Sequence, residues 1–404
     1  MNKQTIFYTF FLVGCMVFEL LAQGTPDAYY SFDGCSLQDQ SSRYSDVVLS
    51  GNPGCSCAPV KDGMGPVQAG DILDFDGNLG SILSSDFTMS FYIKILNPKG
   101  SSLIEILSNE SSCLQDSTFT VQFDQISQSI VFNLVLTPSN KIILRAPIDP
   151  DKCWNHVVLT REKVTFSLYI NAEKKDEFVY EKGLVIPVRT NNPFRMGSSV
   201  CNTPTFIGFI DELQFYSKSL DINQVQRLYR PFNQILTPDT ILVQGDILTP
   251  QVVARCQTNV TWSPSIGVSD VNALQPELSP DETTVYTLQI NETDCISTDT
   301  LSVQVIDPGD VQCQNLYLPT AFTPNGDNIN DRFGISNFYI IESLDYFDIF
   351  DKWGGVIFHT NDKNSRWDGS YLGKALNPGI YSYKISYVCR GKTYLKTGAF
   401  NILR

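Results

Sequence analysis

The chain has 404 residues, of which 42% are apolar and 18% charged, and a formal charge of −14. At roughly 100 to 200 residues per domain it holds two to four domains, and its negative charge excludes nucleic acid as a partner, because a polyanion is repelled. Two histidines in the whole chain leave His-based chemistry few places to occur.

Residues 1–22, "MNKQTIFYTFFLVGCMVFELLA", carry one Lys and an apolar stretch from Ile6 to Ala22, after which the chain turns polar. That is the pattern of a signal peptide removed after Ala22. Glu19 interrupts the stretch, and no second apolar run reaches the roughly 20 residues needed to span a bilayer. No transmembrane segment is therefore expected after signal removal. Leu12-Val13-Gly14-Cys15 resembles a lipobox, which would leave Cys15 acylated instead. Cleavage after Ala22 leaves ten cysteines in an oxidising compartment where thiols pair. Six fall early (Cys35, Cys55, Cys57, Cys113, Cys153, Cys201), two in the middle (Cys256, Cys295) and two late (Cys313, Cys389).

Strand signals dominate from there on, because apolar residues recur at every second position. In "FTMSFYIKI", Phe87, Met89, Phe91, Ile93 and Ile95 point one way and Thr88, Ser90, Tyr92 and Lys94 the other. In "VTFSLYIN", Val164, Phe166, Leu168 and Ile170 share a face. Both read as half-buried strands of stacked sheets. One short helix is expected in "SLDINQVQRLY", with Leu220, Val225 and Leu228 on one side and Asp221 as its cap. A polar, proline-marked stretch at Pro231 to Pro238 reads as a first linker and Asp307-Pro308-Gly309-Asp310 as a second. The expected class is all-β, with domains at 24–232, 233–308 and 313–404.

The first of these resembles a laminin-G-like, concanavalin-type jelly roll. The segments that carry the resemblance are "YYSFDGCSLQDQSS", "LDFDGNLGSI", "FTMSFYIKI", "CWNHVVLTREKVTFSLYINAEKKDEF" and "FIGFIDELQFYSKSLDINQVQRLY", in that order. Fold does not settle function, since this one serves lectins, adhesion modules and glycosidases alike. Simple alternation along "FIGFIDELQFY" puts Asp211 with Ile207, Phe209, Leu213 and Phe215, so its carboxylate needs compensation. Backbone N–H groups in a turn could supply it. The resemblance implies another source, a structural Ca²⁺ held by Asp211 and Asp33. His156 is expected to be packed or exposed without a catalytic role, and Trp154 to be core. Glycosidases of this superfamily take their carboxylates from one strand as E-x-D-x-(x)-E. Here Glu-x-Asp occurs only at Glu292 to Asp294, so an enzyme is not expected.

Residues 233–308 resemble the Ig-like or PKD-like spacers of bacterial surface proteins, through "VTWSPSIGVSD" and "TTVYTLQINETDCISTDTLSVQV". Val285, Thr287 and Gln289 alternate with Tyr286, Leu288 and Ile290, Trp262 reads as the core tryptophan, and Cys256 and Cys295 are expected to staple neighbouring strands.

Residues 313–404 resemble the type B C-terminal sorting domain of the type IX secretion system, the gliding motility-associated C-terminal domain. "LYLPTAFTPNGDNINDRFGI" supplies Pro324, Asn325, Gly326, Asp327, Asn330 and Asp331; "YFDIFDKWGGVIFHT" supplies Trp353 and Gly354. "SRWDGSYLGKALNPGIYSYKISY" supplies Trp367, Asp368, Gly369, Pro378, Gly379 and Tyr381, and "KTGAFNILR" the terminal strand. Asn328 stands where the family usually has Gly, and Lys352 where it has Arg. Adjacent Gly354 and Gly355 fit a tight hairpin, and Asn325 to Asp331 an irregular loop held by Asx side chains. As an EF-hand the loop fails, because its positions 1, 6 and 12 would be Thr323, Asn328 and Gly334. Cys313 and Cys389 are expected to pair, closing a small seven-strand sandwich. Trp353, Trp367 and Asp368 are read as core and turn residues rather than contacts of the export machinery.

The expectation is thus a secreted or cell-surface protein, exported through the periplasm by the type IX machinery. Its head would bind a glycan or a surface protein for adhesion or nutrient capture. The rivals are a glycoside hydrolase and a ligand-free component of the surface coat.

Overall fold

A computed structural model describes residues 24–403 apart from 98–99, 101, 114–115, 138–139, 181–191, 202 and 326–329. The expected signal peptide 1–22, Cys15, Gly326 and Asp327 lie outside the described residues. Among those described, the fold is all-β except for the helix Ile222–Leu228 and three short 3-10 turns, and no helix is long and apolar enough to cross a membrane.

The head is two stacked sheets. The first runs, in order, Glu173–Val179, Thr165–Ile170, Asn155–Glu162, Phe87–Ile95, Gly208–Tyr216, Asp62–Gly65 and Gly54–Cys57, with Ala28–Tyr30 also paired to Gly208–Tyr216. The second runs Asn140–Pro147, Ser129–Thr137, Thr118–Asp124, Leu103–Ser108, Arg195–Met196, Ile72–Asp74 and Val48–Ser50. Between them lies the main core, which includes Phe87, Met89, Phe91, Ile93, Phe166, Leu168 and Ile170, the faces that the alternation predicts. The strand Phe87–Ile95 departs from expectation on its other face. Thr88, Ser90, Tyr92 and Lys94 are all buried, because further structure packs onto the outside of the first sheet. One contributor is the helix, whose Val225, with Leu220 just before its cap, packs on Val158, Tyr169 and Tyr216. Asp221 and Gln224 close a reciprocal capping box at its start.

The second contributor is the spacer, a four-stranded sheet of Thr240–Val243, Ile296–Ile306, Thr284–Asn291 and Asn259–Ser263. Its core holds Trp262, Tyr286, Leu288, Ile290, Leu301 and Val303. The expected Cys256–Cys295 staple is not formed. Cys57 bonds Cys256 and Cys153 bonds Cys295, so both disulfides cross from head to spacer. The reason is spatial: each spacer cysteine faces the head and joins Ala58, Tyr92, Trp154, Phe209 and Phe232 in one apolar cluster. The stretch read as the first linker is correspondingly no free linker, since Phe232 and Asn233 are buried. Within this interface the Lys94 ammonium lies 2.8 Å from Glu292, both almost completely buried, and Asn233 Nδ2 donates to the other Glu292 oxygen at 2.7 Å. The head's remaining cysteines pair as Cys35–Cys55 and Cys113–Cys201.

The tail is one five-stranded sheet, Ala321–Phe322, Lys392–Ile402, Gly379–Cys389, Ser343–Phe350 and Val356–Thr360, with a separate hairpin of Ser370–Tyr371 and Lys374–Ala375. Seven strands are therefore present among the described residues, though not as two matched sheets. Phe322, Phe333, Phe347, Trp367 and Phe400 fill its core, and Cys313 is bonded to Cys389.

Candidate functional site

Along its central strands the outer side of the first sheet is covered. His156 lies there with its ring 4.6 Å from Tyr92 and 6.0 Å from Tyr229, and its Nε2 is 2.9 Å from the Ser90 hydroxyl. Burial lowers its pKa to about 3, so the ring stays neutral and serves packing. Trp154 is buried in the interface cluster.

On the strand Gly208–Tyr216, inside that sheet, lies the acidic corner that the sequence singles out. A β-bulge breaks the alternation between Asp211 and Gln214, with Glu212 at φ 52°. Ile210 and Leu213 therefore both enter the main core, while Phe209 faces the spacer. Asp211 thus shares a side with Phe209 and not, as simple alternation has it, with Leu213 and Phe215. Its Oδ2 accepts from Val60 N–H at 3.2 Å. Asp211 Oδ1 and Asp33 Oδ1 are both buried with no hydrogen-bond partner. Burial, then the charge of Glu212, pushes the Asp211 carboxyl up to about 8. Glu212 is itself raised by burial and accepts from the Tyr29 hydroxyl at 2.8 Å. A hard cation held by the orphaned Asp33 and Asp211 oxygens would need further oxygen ligands. Among the described residues no group of three or more His, Cys, Asp or Glu side chains is arranged to hold a metal ion.

A second polar cluster, not picked out from the sequence, occupies the outer side of the second sheet. The register aligns Glu105 with Gln122 and Gln122 with Val131, and in the next row Ser108 with Thr120 and Thr120 with Asn133. A bulge between Glu105 and Leu107 turns both Ile106 and Leu107 into the core. Glu105 consequently points outward, where its Oε2 accepts from Ser199 Oγ at 3.1 Å and its Oε1 is buried without a partner. Asn109 Nδ2 and Asn133 Oδ1 are likewise buried and unpartnered. Glu110 is half-buried at the rim and accepts from Thr118 Oγ1 at 3.3 Å. Burial, reinforced by the charge of Glu110, pushes the Glu105 carboxyl up to about 7; burial also raises Glu110. Cys113–Cys201 ties the segments on either side. The available signal was Glu105 itself, a carboxylate inside the apolar run "LIEIL".

In the tail, Asp331 Oδ1 accepts from Asn325 N–H at 2.9 Å. Pro324, Asn330, Asp331 and Asp368 line one shallow cavity with Arg332 and Arg366. Trp367 is core, its Nε1 donating to Ser370 O at 2.8 Å, and Asp368 caps the following turn through Ser370. Gly369 takes φ 77° against the Phe322 ring. Trp353 sits in a turn as read, but 83% exposed, and Gly354, at φ 85°, shapes that turn. Pro378, Gly379 and Tyr381 line a second cavity beside it.

The profile described as Concanavalin A-like lectin/glucanases superfamily, of laminin-G type, matches residues 69–226. That described as Type IX secretion signal domain matches residues 316–402, which marks the chain for export to the cell surface or the medium. No curated protein matches the chain. Matches among solved structures include the binding domain of botulinum neurotoxin serotype D/C VPI 5993, at 13% identity and a TM-score of 0.45, covering 94% of this chain and 78% of that one. Domain 4 of AbnA, a GH43 extracellular arabinanase from Geobacillus stearothermophilus in complex with arabinotriose, matches at 18% identity and a TM-score of 0.39, covering 51% of this chain and 98% of the other. The CBM40 of Ruminococcus gnavus IT-sialidase bound to alpha2,3 sialyllactose matches at 15% identity and a TM-score of 0.32, over 37% and 86% respectively.

Proposed function

We propose that this protein, a concanavalin A-like head carried to the outside by a type IX secretion signal, binds a glycan through the outer side of the head's second sheet and so serves adhesion or nutrient capture. The observation that carries the reading is the row Ser108, Thr120, Asn133 with Glu105 and Asn109 beside it. Three of its polar atoms are buried and unpartnered, and buried polar groups without partners are uncommon in native proteins. Hydroxyls of a sugar, each both donor and acceptor, suit two vacant acceptors and one vacant donor. A structural Ca²⁺ at Asp33 and Asp211 would order the first sheet without touching the ligand.

A screen of the purified full chain on a glycan array, with Ca²⁺ and with chelator, tests this. Ligand-specific binding that falls at least tenfold in Asn133→Ala and Glu105→Gln supports the site. Binding that survives both places the ligand elsewhere, and silence on the array favours a ligand-free role in the surface coat.

One observation favours a second reading, glycoside hydrolysis: Glu110 lies close enough for its charge to act on Glu105, and hydrolysis requires a pair of carboxyls. Release of reducing ends by the full chain, abolished in Glu105→Gln, would establish it in place of simple binding.

A further inference from the structure

One end of the tail carries apolar side chains that the fold does not use. Two hairpin turns meet there. In the first, Asp351 Oδ1 accepts from the backbone N–H groups of Trp353 at 2.9 Å and Gly355 at 2.8 Å, and Gly354 supplies the left-handed residue at φ 85°. Backbone and aspartate alone therefore hold this turn. The Trp353 side chain makes no hydrogen bond that holds it and stands 83% exposed. In the second turn Leu372, at φ 51°, and Gly373, at φ 74°, are both left-handed. Such two-residue turns favour Asn-Gly, whereas a branched apolar side chain is strained at positive φ; Leu372 is nevertheless present and 85% exposed. Between the turns Trp353, Tyr371, Ile380 and Tyr381 line a cavity of about 340 Å³.

This end lies far from the point where the tail begins. Phe350 pairs with Ser382 near the cavity, while Ser343 pairs with Val388 beside Cys389, which is bonded to Cys313 where the tail begins. Eight strand residues at about 3.3 Å each separate the two ends by roughly 25 Å. Charge distinguishes the tail from the rest of the chain. The Lys352 ammonium lies 5.0 Å over the Trp353 ring. From residue 313 onward the chain has ten Lys and Arg against eight Asp and Glu, which leaves −16 of the total −14 on the preceding residues.

We propose that this end of the tail is the surface by which the export machinery reads the signal, and that it receives a protein segment with apolar and acidic side chains. The inference rests on reading the tail as an export signal. An aromatic anchor beside a pocket is the usual centre of a protein interface. An acidic segment is drawn to the tail, with its small positive excess, and repelled by the strongly negative remainder of the molecule, so encounters are steered to the tail.

The test measures the full-length chain in the medium and on the cell surface against the periplasm of the exporting cell, for Trp353→Ala, Leu372→Asn, Lys352→Glu and a chain ending before residue 313. The truncated chain should not leave the periplasm. Trp353→Ala and Lys352→Glu should each reduce export at least tenfold with the tail still folded, as judged by its melting temperature and the Cys313–Cys389 bond. Leu372→Asn relieves the turn, so a tail that is at least as stable yet poorly exported separates recognition from misfolding. Normal export of Trp353→Ala and Leu372→Asn overturns the inference while truncation still blocks export and the signal reading stands. Normal export of the truncated chain overturns both.

Discussion

The two junctions of this chain are built on opposite plans. Head and spacer are joined by two disulfides, a buried ion pair and an apolar cluster drawn from both, reinforced by Ser297 Oγ accepting from Cys153 N–H and Arg255 donating to Val60 O. Spacer and tail are joined by an exposed turn, in which the Arg390 guanidinium donates to the carbonyls of Pro308, Gly309 and Val311. The contrast teaches that a boundary between sequence families need not be a mechanical boundary. Three modules are legible along the chain, but the molecule has two mechanical units, a head welded to its spacer and a tail tied on by a turn.

The largest effect expected from breaking that contrast comes from the crossing disulfides, which close loops of 199 and 142 residues. Replacing both pairs with serines should lower the unfolding free energy of the head and spacer by about 3 kcal/mol per bond. In calorimetry the native chain should show two transitions, of which only the one assigned to head and spacer moves. Three transitions in the native chain would sink the two-unit description.

Next in size is Lys94→Met, which leaves Glu292 charged and buried without its partner and should cost about 3 kcal/mol or more. Burial already raises the Glu292 carboxyl, and Lys94 partly offsets this, so the variant should raise it further. A carboxyl whose folded pKa lies above its unfolded value stabilises the fold below the unfolded value and loses that contribution as pH rises. The penalty should therefore be smallest near pH 4 and grow toward pH 8, read by denaturant titration at each pH. Pairing Lys94→Met with Glu292→Leu should recover most of the loss, because no charge is then left unpaired.

The smallest effect belongs to the other junction. Arg390→Ala removes exposed contacts to a turn and should change stability by less than about 1 kcal/mol, with neither calorimetric transition displaced. A loss comparable to that of Lys94→Met would mean that the tail, too, is anchored.

Much of the fold was legible because strand alternation is local. Phe87, Met89, Phe91 and Ile93 announce a core face whatever packs beyond them, as do Tyr286, Leu288 and Ile290, and both faces stand where alternation puts them. The site was much less legible. Asp33 and Asp211 are singled out by short motifs, but Glu105, Asn109 and Asn133 become a cluster only through the register of three strands and a bulge. One extra residue in a strand reverses every side chain after it, and that is how simple alternation misplaced Asp211.

By itself the sequence determined the all-β class, the order of the modules and the identity of the tail as an export signal, since each is written in short contiguous patterns. Only the tertiary structure decided which cysteines meet, which sheet face is covered and that Trp353 stands in solvent while Trp367 is buried. Those outcomes depend on residues far apart in the chain arriving at one place. Cys57 sees Cys256 across 199 positions, and no periodicity within either module carries that information.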